Sequence, residues 1–188
     1  MRNKRILLRR VITLAILVIA AAVICTVVLL NHYYPLRYTD IIRKYAQEYD
    51  LKPELVCAVI KAESGFNKDA VSSVGASGLM QVMEGTANWL APKISMDGFE
   101  YTQIFDPDVN IRLGCFYLNM LEKQYGDIDV ALCAYNAGSG NVDKWLRDSS
   151  YSDDGKTLSH IPFQETRNYV KKVTDIQRIY KFMLAFSG

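Results

Sequence analysis

Glu63 closes the segment Val56-Cys57-Ala58-Val59-Ile60-Lys61-Ala62-Glu63, and Ser64-Gly65 then breaks the pattern. The apolar run reads as a buried helix that carries the chain inward and leaves a carboxylate at its C-terminal end. Apolar walls disfavour the charged form of an acid and hold it protonated near neutrality. A neutral carboxyl can give its proton to a poor leaving group such as a sugar oxygen. The bland alternative is a solvated carboxylate at a helix end, and this residue alone does not decide between the two.

Other chemistries find less support. His32 and His160 lie far apart in the sequence, and no Cys-x-x-Cys pair is present. Metal binding and Cys–His nucleophilic catalysis therefore lack their residues, and no metal or cofactor is implied. Beyond Cys25 stand Cys57, Cys115 and Cys133, each inside an apolar helical pattern. An odd number cannot complete a disulfide framework, so these read as small core residues.

Charge is unevenly spread. Arg2, Lys4, Arg5, Arg9 and Arg10 place five positive charges in the first ten residues, so residues 11–188 carry −3 although the 188-residue chain is +2 overall. The remainder lacks the broad basic face that nucleic acid would demand.

Residues 11–30 carry no charge, and only Thr13, Cys25 and Thr26 interrupt the large apolar and Ala positions. Twenty helical residues reach roughly 30 Å, the thickness of a bilayer core. The preceding basic cluster predicts that residues 1–10 stay in the cytoplasm and that the rest is exported across the cytoplasmic membrane as a single-pass protein. Residues 31–38 read as a linker with interfacial aromatics, and 39–188 as the exported domain. A cleaved signal peptide is the competing reading. Ala20-Ala21-Ala22 offers a site for the cut, but the apolar run continues past it.

That domain reads as mostly α-helical. Thr39 looks like an N-cap for a first helix bearing Ile41, Ile42, Tyr45, Ala46 and Tyr49. Pro53 opens the helix that ends near Glu63. Residues 64–77 form a polar loop, 78–83 are too short to type, 86–90 suggest a short helix, and 92–106 look irregular. Asp106-Pro107 starts a long helix that Gly126 stops. Residues 127–135 form another helix, 136–140 a break, 142–146 a helical turn and 149–160 a surface loop. A last helix covers 162–186.

Five segments then fit one family in order. They are Ala62-Glu63-Ser64-Gly65-Phe66-Asn67, Ser72-Ser73-Val74-Gly75-Ala76-Ser77-Gly78-Leu79-Met80-Gln81-Val82-Met83, Asn110-Ile111-Arg112-Leu113-Gly114, Ala134-Tyr135-Asn136-Ala137-Gly138, and Ile161-Pro162-Phe163-Gln164-Glu165-Thr166-Arg167-Asn168-Tyr169-Val170. The chain resembles the lytic transglycosylases of the lysozyme-like superfamily, in particular the soluble lytic transglycosylase catalytic domain of family 1. The resemblance implies an α+β lysozyme-like fold with helices framing a long groove. It also implies cleavage of the β-1,4 bond between N-acetylmuramic acid and N-acetylglucosamine in peptidoglycan, with the muramyl C6 hydroxyl closing a 1,6-anhydro ring.

The resemblance puts the single catalytic acid at Glu63. It points the Tyr135 hydroxyl at the reaction centre, and has Asn136 bind sugar or brace its loop. Gln81 and Met83 would line subsites. Ser72 would bond substrate or the Glu63 carboxyl, and Glu165 would contact the saccharide or its stem peptide. Each has a plainer alternative: a core Tyr, a helix-ending Asn, core methionines at 80 and 83, a turn-forming Ser, and a Glu favoured by the helix dipole. Gly75 and Gly78 would permit tight backbone turns. Phe66 stands where the family commonly has Trp, Cys133 where it has Ala or Ser, and Glu84 where Pro is frequent.

An ordinary glycosidase needs two carboxylates. The nearest to Glu63 in sequence, Asp69 and Glu84, sit among polar or turn residues, which fits a route assisted by the sugar's own 2-acetamido group. A hydrolytic muramidase, a glycan-binding module without catalysis, and a chitin-cleaving enzyme are the rival functions.

Overall fold

The computed structural model describes residues 2–185, with side chains from residue 9 onward. Residues 1 and 186–188 lie outside the described residues, and with them Phe186, the expected end of the last helix. The chain divides into two units, one ending at Leu36 and the other beginning at Arg37.

The first unit is dominated by α1 (Arg2–Tyr33). Its stretch Arg9–Tyr33 contains an 18-residue window with a mean hydropathy of 3.0 and is long and apolar enough to cross a membrane. Helix continues through Asn31, His32 and Tyr33, so the non-helical connection begins at Tyr34.

The second unit is built from α2 (Thr39–Glu48), α3 (Pro53–Glu63), α4 (Glu84–Leu90), α5 (Pro107–Tyr125), α6 (Ile128–Ala137), α7 (Ser139–Arg147) and α8 (Gln164–Ala185). Two 3-10 turns, Ala91–Ile94 and Tyr101–Phe105, occupy much of the stretch that reads as irregular. Two isolated antiparallel bridges, Val71 with Ser77 and Ser77 with Val82, are the only strand-like pairings among the described residues. The architecture is thus mostly helical, as the sequence predicts, and its β part has shrunk to one folded loop.

α3 is the central element. Leu55, Val56, Cys57, Ala58, Val59 and Ile60 are all buried in succession, and a helix apolar on every side belongs in the interior. A large aliphatic side chain gains about 1.5–3 kcal/mol on full burial, so several in a row fix the helix's depth and with it the position of Glu63. α3 packs chiefly against α8, whose Thr166, Tyr169, Val170, Val173, Ile176, Tyr180 and Met183 form the buried face. Cys57, Cys115 and Cys133 are buried free thiols, and burial pushes Cys57 and Cys133 up to about 12.

Local signals set most boundaries. Asp106 accepts hydrogen bonds from the Asp108 and Val109 N–H groups, Pro107 follows it, and Gly126 ends α5 at φ 67°. Asp127 caps α6 through the Val130 N–H at 3.0 Å. Several boundaries differ from expectation: α4 begins at Glu84 rather than residue 86, α7 spans Ser139–Arg147 rather than 142–146, and α8 begins at Gln164 rather than residue 162. Tyr38, not Thr39, is the N-cap of α2, and it adopts the left-handed conformation without a side-chain cap. α6 also runs on through Asn136 and Ala137, so the break narrows to Gly138 at φ 85° before α7 begins.

Candidate active site

Glu63 is the last residue of α3 and is partly buried. Burial pushes its carboxyl from 4.5 up to about 7. Three groups of α8 modulate that: the Tyr169 hydroxyl and the Lys172 ammonium favour the carboxylate, and Glu165 opposes it. The Tyr169 hydroxyl faces Glu63 but is buried without a hydrogen bond of good geometry to any partner. Tyr135, on α6, feels the Glu63 charge as well. Burial drives both phenols well above the usual tyrosine range, so each stays a neutral hydroxyl.

The polar loop after α3 is tied back onto this centre. Ser64 Oγ donates to the Leu79 carbonyl at 2.8 Å and also lies 3.2 Å from the Ile60 carbonyl. The Tyr135 hydroxyl donates to the Met80 carbonyl at 2.8 Å. Buried Asn110 on α5 accepts the Met80 N–H at 2.7 Å, and its Nδ2 donates to the Ser77 and Ile104 carbonyls at 3.0 and 2.9 Å. Gly78 is required beside it: its φ is +78°, and a Cβ would meet Asn110 Nδ2 at 2.0 Å.

Gln81, Met83, Tyr135 and Asn136 come together, lining one cavity of about 230 Å³ with Val82, Thr86, Tyr117, Ala137 and Gly138. That volume is below the ~300–1,000 Å³ of an enclosed ligand pocket. Tyr135 connects this cavity to Glu63. Gln81 Nε2 donates to the Ala70 and Gly78 carbonyls at 3.1 and 2.9 Å, which holds its backbone at φ 50°. Left-handed non-glycine residues tend to cluster at functional sites. Met83 is exposed at the rim, and Met80 is fully buried core.

Ser72 Oγ accepts the Ala76 N–H at 3.0 Å, and its backbone N–H donates to the Ala76 carbonyl at 2.9 Å, so Ser72 closes a turn. Asn136 Oδ1 accepts from Thr166 Oγ1 at 2.8 Å and fastens α6 to α8. Glu165 is exposed in the first turn of α8. It is also the carboxylate whose charge reaches Glu63, whereas Asp69 and Glu84 are only the nearest in sequence. Asp69 pairs instead with Lys68 at 2.7 Å.

Tyr169, Ser64, Asn110 and Lys172 are the residues to which sequence reasoning gave no role. Three of them lie in the quoted segments, and Asn110 carried a legible signal as an amide on an apolar helix face. A larger depression of about 640 Å³, lined among others by Asp129, Arg167, Lys171, Asp175 and Arg178, lies on a different face of α8. Asp175 there is paired with Lys171 and Arg178. None of the residues gathered around Glu63 lines that depression, so size alone does not locate the chemistry. No cluster of three potential metal ligands occurs among the described residues.

A family model described as the transglycosylase SLT domain matches residues 40–158, more than half of the chain. The chain belongs to the transglycosylase SLT domain family. It is 36% identical over 158 residues to the soluble lytic murein transglycosylase of Escherichia coli K12, covering 82% of this chain and 24% of that protein. It is 33% identical to the membrane-bound lytic murein transglycosylase C of Edwardsiella ictaluri, covering 77% of this chain and 46% of that one. The structure of an inactive mutant of lytic transglycosylase Slt from Pseudomonas aeruginosa superimposes with a TM-score of 0.74 at 38% identity, over 83% of this chain and 26% of that chain. A 70-kDa soluble lytic transglycosylase in complex with bulgecin A gives 0.74 at 36% identity, over 82% and 26% of the two chains. The chain thus spans about a quarter to a half of the length of these relatives. The SLT match ends before α8, so Glu165, Tyr169 and Lys172 lie outside it.

Proposed function

We propose that this protein is a membrane-anchored lytic transglycosylase that cleaves the β-1,4 bond between N-acetylmuramic acid and N-acetylglucosamine in peptidoglycan. The observation that carries the reading is Glu63: an acid held by burial at about 7, beside two neutral tyrosine hydroxyls, where the resemblance puts the catalytic acid. The α1 stretch Arg9–Tyr33 would be the anchor. The basic segment 1–10 would stay in the cytoplasm, and the domain from residue 39 would face the wall as a single-pass protein.

The chemistry follows from one acid used twice. Glu63 gives its proton to the glycosidic oxygen as the bond to the muramyl C1 breaks, and the N-acetylglucosamine side leaves as an alcohol. The 2-acetamido oxygen bonds to C1 and carries the positive charge. The C6 hydroxyl then attacks C1, its proton returns to Glu63, and the acetamido group is released. No water is consumed, and the acid ends protonated as it began. Gln81, Met83, Tyr135 and Asn136 would hold the sugars along the groove. Ser72 would shape the loop, and Glu165 would contact the saccharide or its stem peptide.

Glu165 also supports a second reading. Its charge reaches Glu63, and a hydrolytic muramidase would use such a second carboxylate to activate water. Digestion of purified peptidoglycan by the detergent-solubilised full chain separates the two. Muropeptides ending in 1,6-anhydro sugars are expected. Products heavier by one water would overturn the transferase chemistry, and saccharide binding without turnover would leave a glycan-binding module.

A further inference from the structure

α3 ends at Glu63, and the last carbonyls of a helix have no partner within it. The Ile60 carbonyl is served by the Ser64 N–H at 3.0 Å. The Ala62 carbonyl is served from another helix, by Lys172 Nζ of α8 at 2.8 Å. Lys172 therefore reaches the peptide immediately before the acid. A cation at a helix C-terminus also meets the negative end of the helix dipole.

Lys172 belongs to a stripe. Glu165, Tyr169 and Lys172 recur at i, i+4 and i+7, which places them along one edge of α8, and all three act on Glu63. Tyr135 on α6, which is neutral, also faces the acid. The balance of charge at the site is thus one cation against one anion from the same helix edge. The order of the stripe matters, because the cation is the member fastened to α3 by a hydrogen bond.

We propose that Lys172 is a positioning residue for the acid: it fastens the last turn of α3 to α8 through Ala62, and it holds a cation beside the Glu63 carboxyl. The proposal rests on the assignment of Glu63 as the acid and deepens it. Proton donation leaves a carboxylate in an apolar wall. That carboxylate must survive until the C6 hydroxyl returns a proton. Lys172 stabilises it during that interval, and Glu165 favours the protonated form needed at the start. The two charges together let one group serve as acid and then as base.

The test follows the Glu63 carboxyl itself, in the detergent-solubilised full chain with 13C-labelled glutamate. Its side-chain resonance is identified by its loss in Glu63→Gln. Lys172→Met removes the charge and the hydrogen bond, Lys172→Arg keeps both, and Lys172→Gln keeps a donor without charge. Lys172→Met and Lys172→Gln are expected to raise the Glu63 midpoint by ~0.5 unit, the scale of a solvent-screened cation. Lys172→Arg is expected to titrate like the wild type, and the alkaline limb of activity should move with the midpoint. A midpoint unchanged in both neutral variants overturns the charge role. An equal shift in Lys172→Arg, with a lowered melting temperature, would make Lys172 a structural tie only. Should Lys172→Met fail to fold, Lys172→Gln supplies the same comparison. The titration needs no turnover, so a wild type that makes no anhydro products would overturn the proposed reaction while leaving this result standing.

Discussion

Asn110 and Tyr135 hold Met80 from opposite ends of the residue: the Met80 N–H donates to Asn110 Oδ1 at 2.7 Å, and the Met80 carbonyl accepts from the Tyr135 hydroxyl at 2.8 Å. The first comes from α5 and the second from α6, so the loop that carries Gln81 and Met83 is referenced to two helices. With Ser64 bonded to the Leu79 carbonyl, the loop is also referenced to the end of α3. The acid and the cavity-lining residues therefore keep one geometry because three helices share a single short stretch of backbone.

Asn110→Ala should be among the most damaging substitutions outside the reacting groups. It strands one buried N–H and two carbonyls, each costing about 1–3 kcal/mol when left unpaired. A loss of at least ~3 kcal/mol is expected, read as a lower urea midpoint with an unchanged slope. A midpoint within experimental error of the wild type would mean that the loop does not depend on this amide.

Gly75 and Gly78 offer a paired comparison. Both have positive φ, +86° and +78°, but a Cβ at Gly75 meets open space while one at Gly78 would lie 2.0 Å from Asn110 Nδ2 and 2.7 Å from the Ile104 carbonyl oxygen. Gly75→Ala should cost about 1–2 kcal/mol of backbone strain alone. Gly78→Ala should cost clearly more and should also loosen the loop, visible as faster proteolysis between residues 64 and 83. Equal costs at the two sites would show that the Asn110 contact relaxes freely.

Tyr135→Phe separates packing from chemistry. The ring still lies against Tyr117, 5.4 Å away between centroids, so the core is filled, and only the hydroxyl is lost. Stability should fall by about 1 kcal/mol for the lost hydrogen bond. Peptidoglycan turnover should fall by ~10-fold or more, since a misplaced group near the reacting atoms is costly. Full turnover with the small stability loss would reduce Tyr135 to a core residue.

The sequence states the helices well because their signals are local. Asp106-Pro107 and Gly126 frame α5, and the continuous apolar run of α3 announces burial without reference to any partner. Thr39 misled by one residue because the chain enters α2 through a left-handed Tyr38, a tertiary choice that propensity does not encode. Asn136 looked like part of a break, yet its amide oxygen is taken by Thr166 of α8, and that partner keeps α6 helical. The cavity residues were legible as motif members, but their tasks were not. Whether Ser72 turns toward Glu63 or toward Ala76 depends on the path of a loop. Glu165, Tyr169 and Lys172 act on Glu63 only because α8 returns to pack on α3, and nothing local to any of them predicts that pairing.

Glu63 should also be a source of instability, with a sign fixed by its raised pKa. In the unfolded chain it titrates at its ordinary value of 4.5, and in the native state at about 7. Below 4.5 both states carry the proton, so its neutral burial contributes fully. As pH rises toward 7 the unfolded state ionises first, and that contribution is lost as pH passes through the native value. The difference of about 2.5 units corresponds to roughly 3 kcal/mol, at 1.36 kcal/mol per unit. Glu63→Gln has no carboxyl to ionise. Its stability advantage over the wild type should therefore grow between about pH 4.5 and 7 and then level off, while its peptidoglycan turnover is abolished. Chemical denaturation of both proteins across that range measures it. An advantage that does not change with pH would mean that the carboxyl is solvated, and the acid role would fall with it.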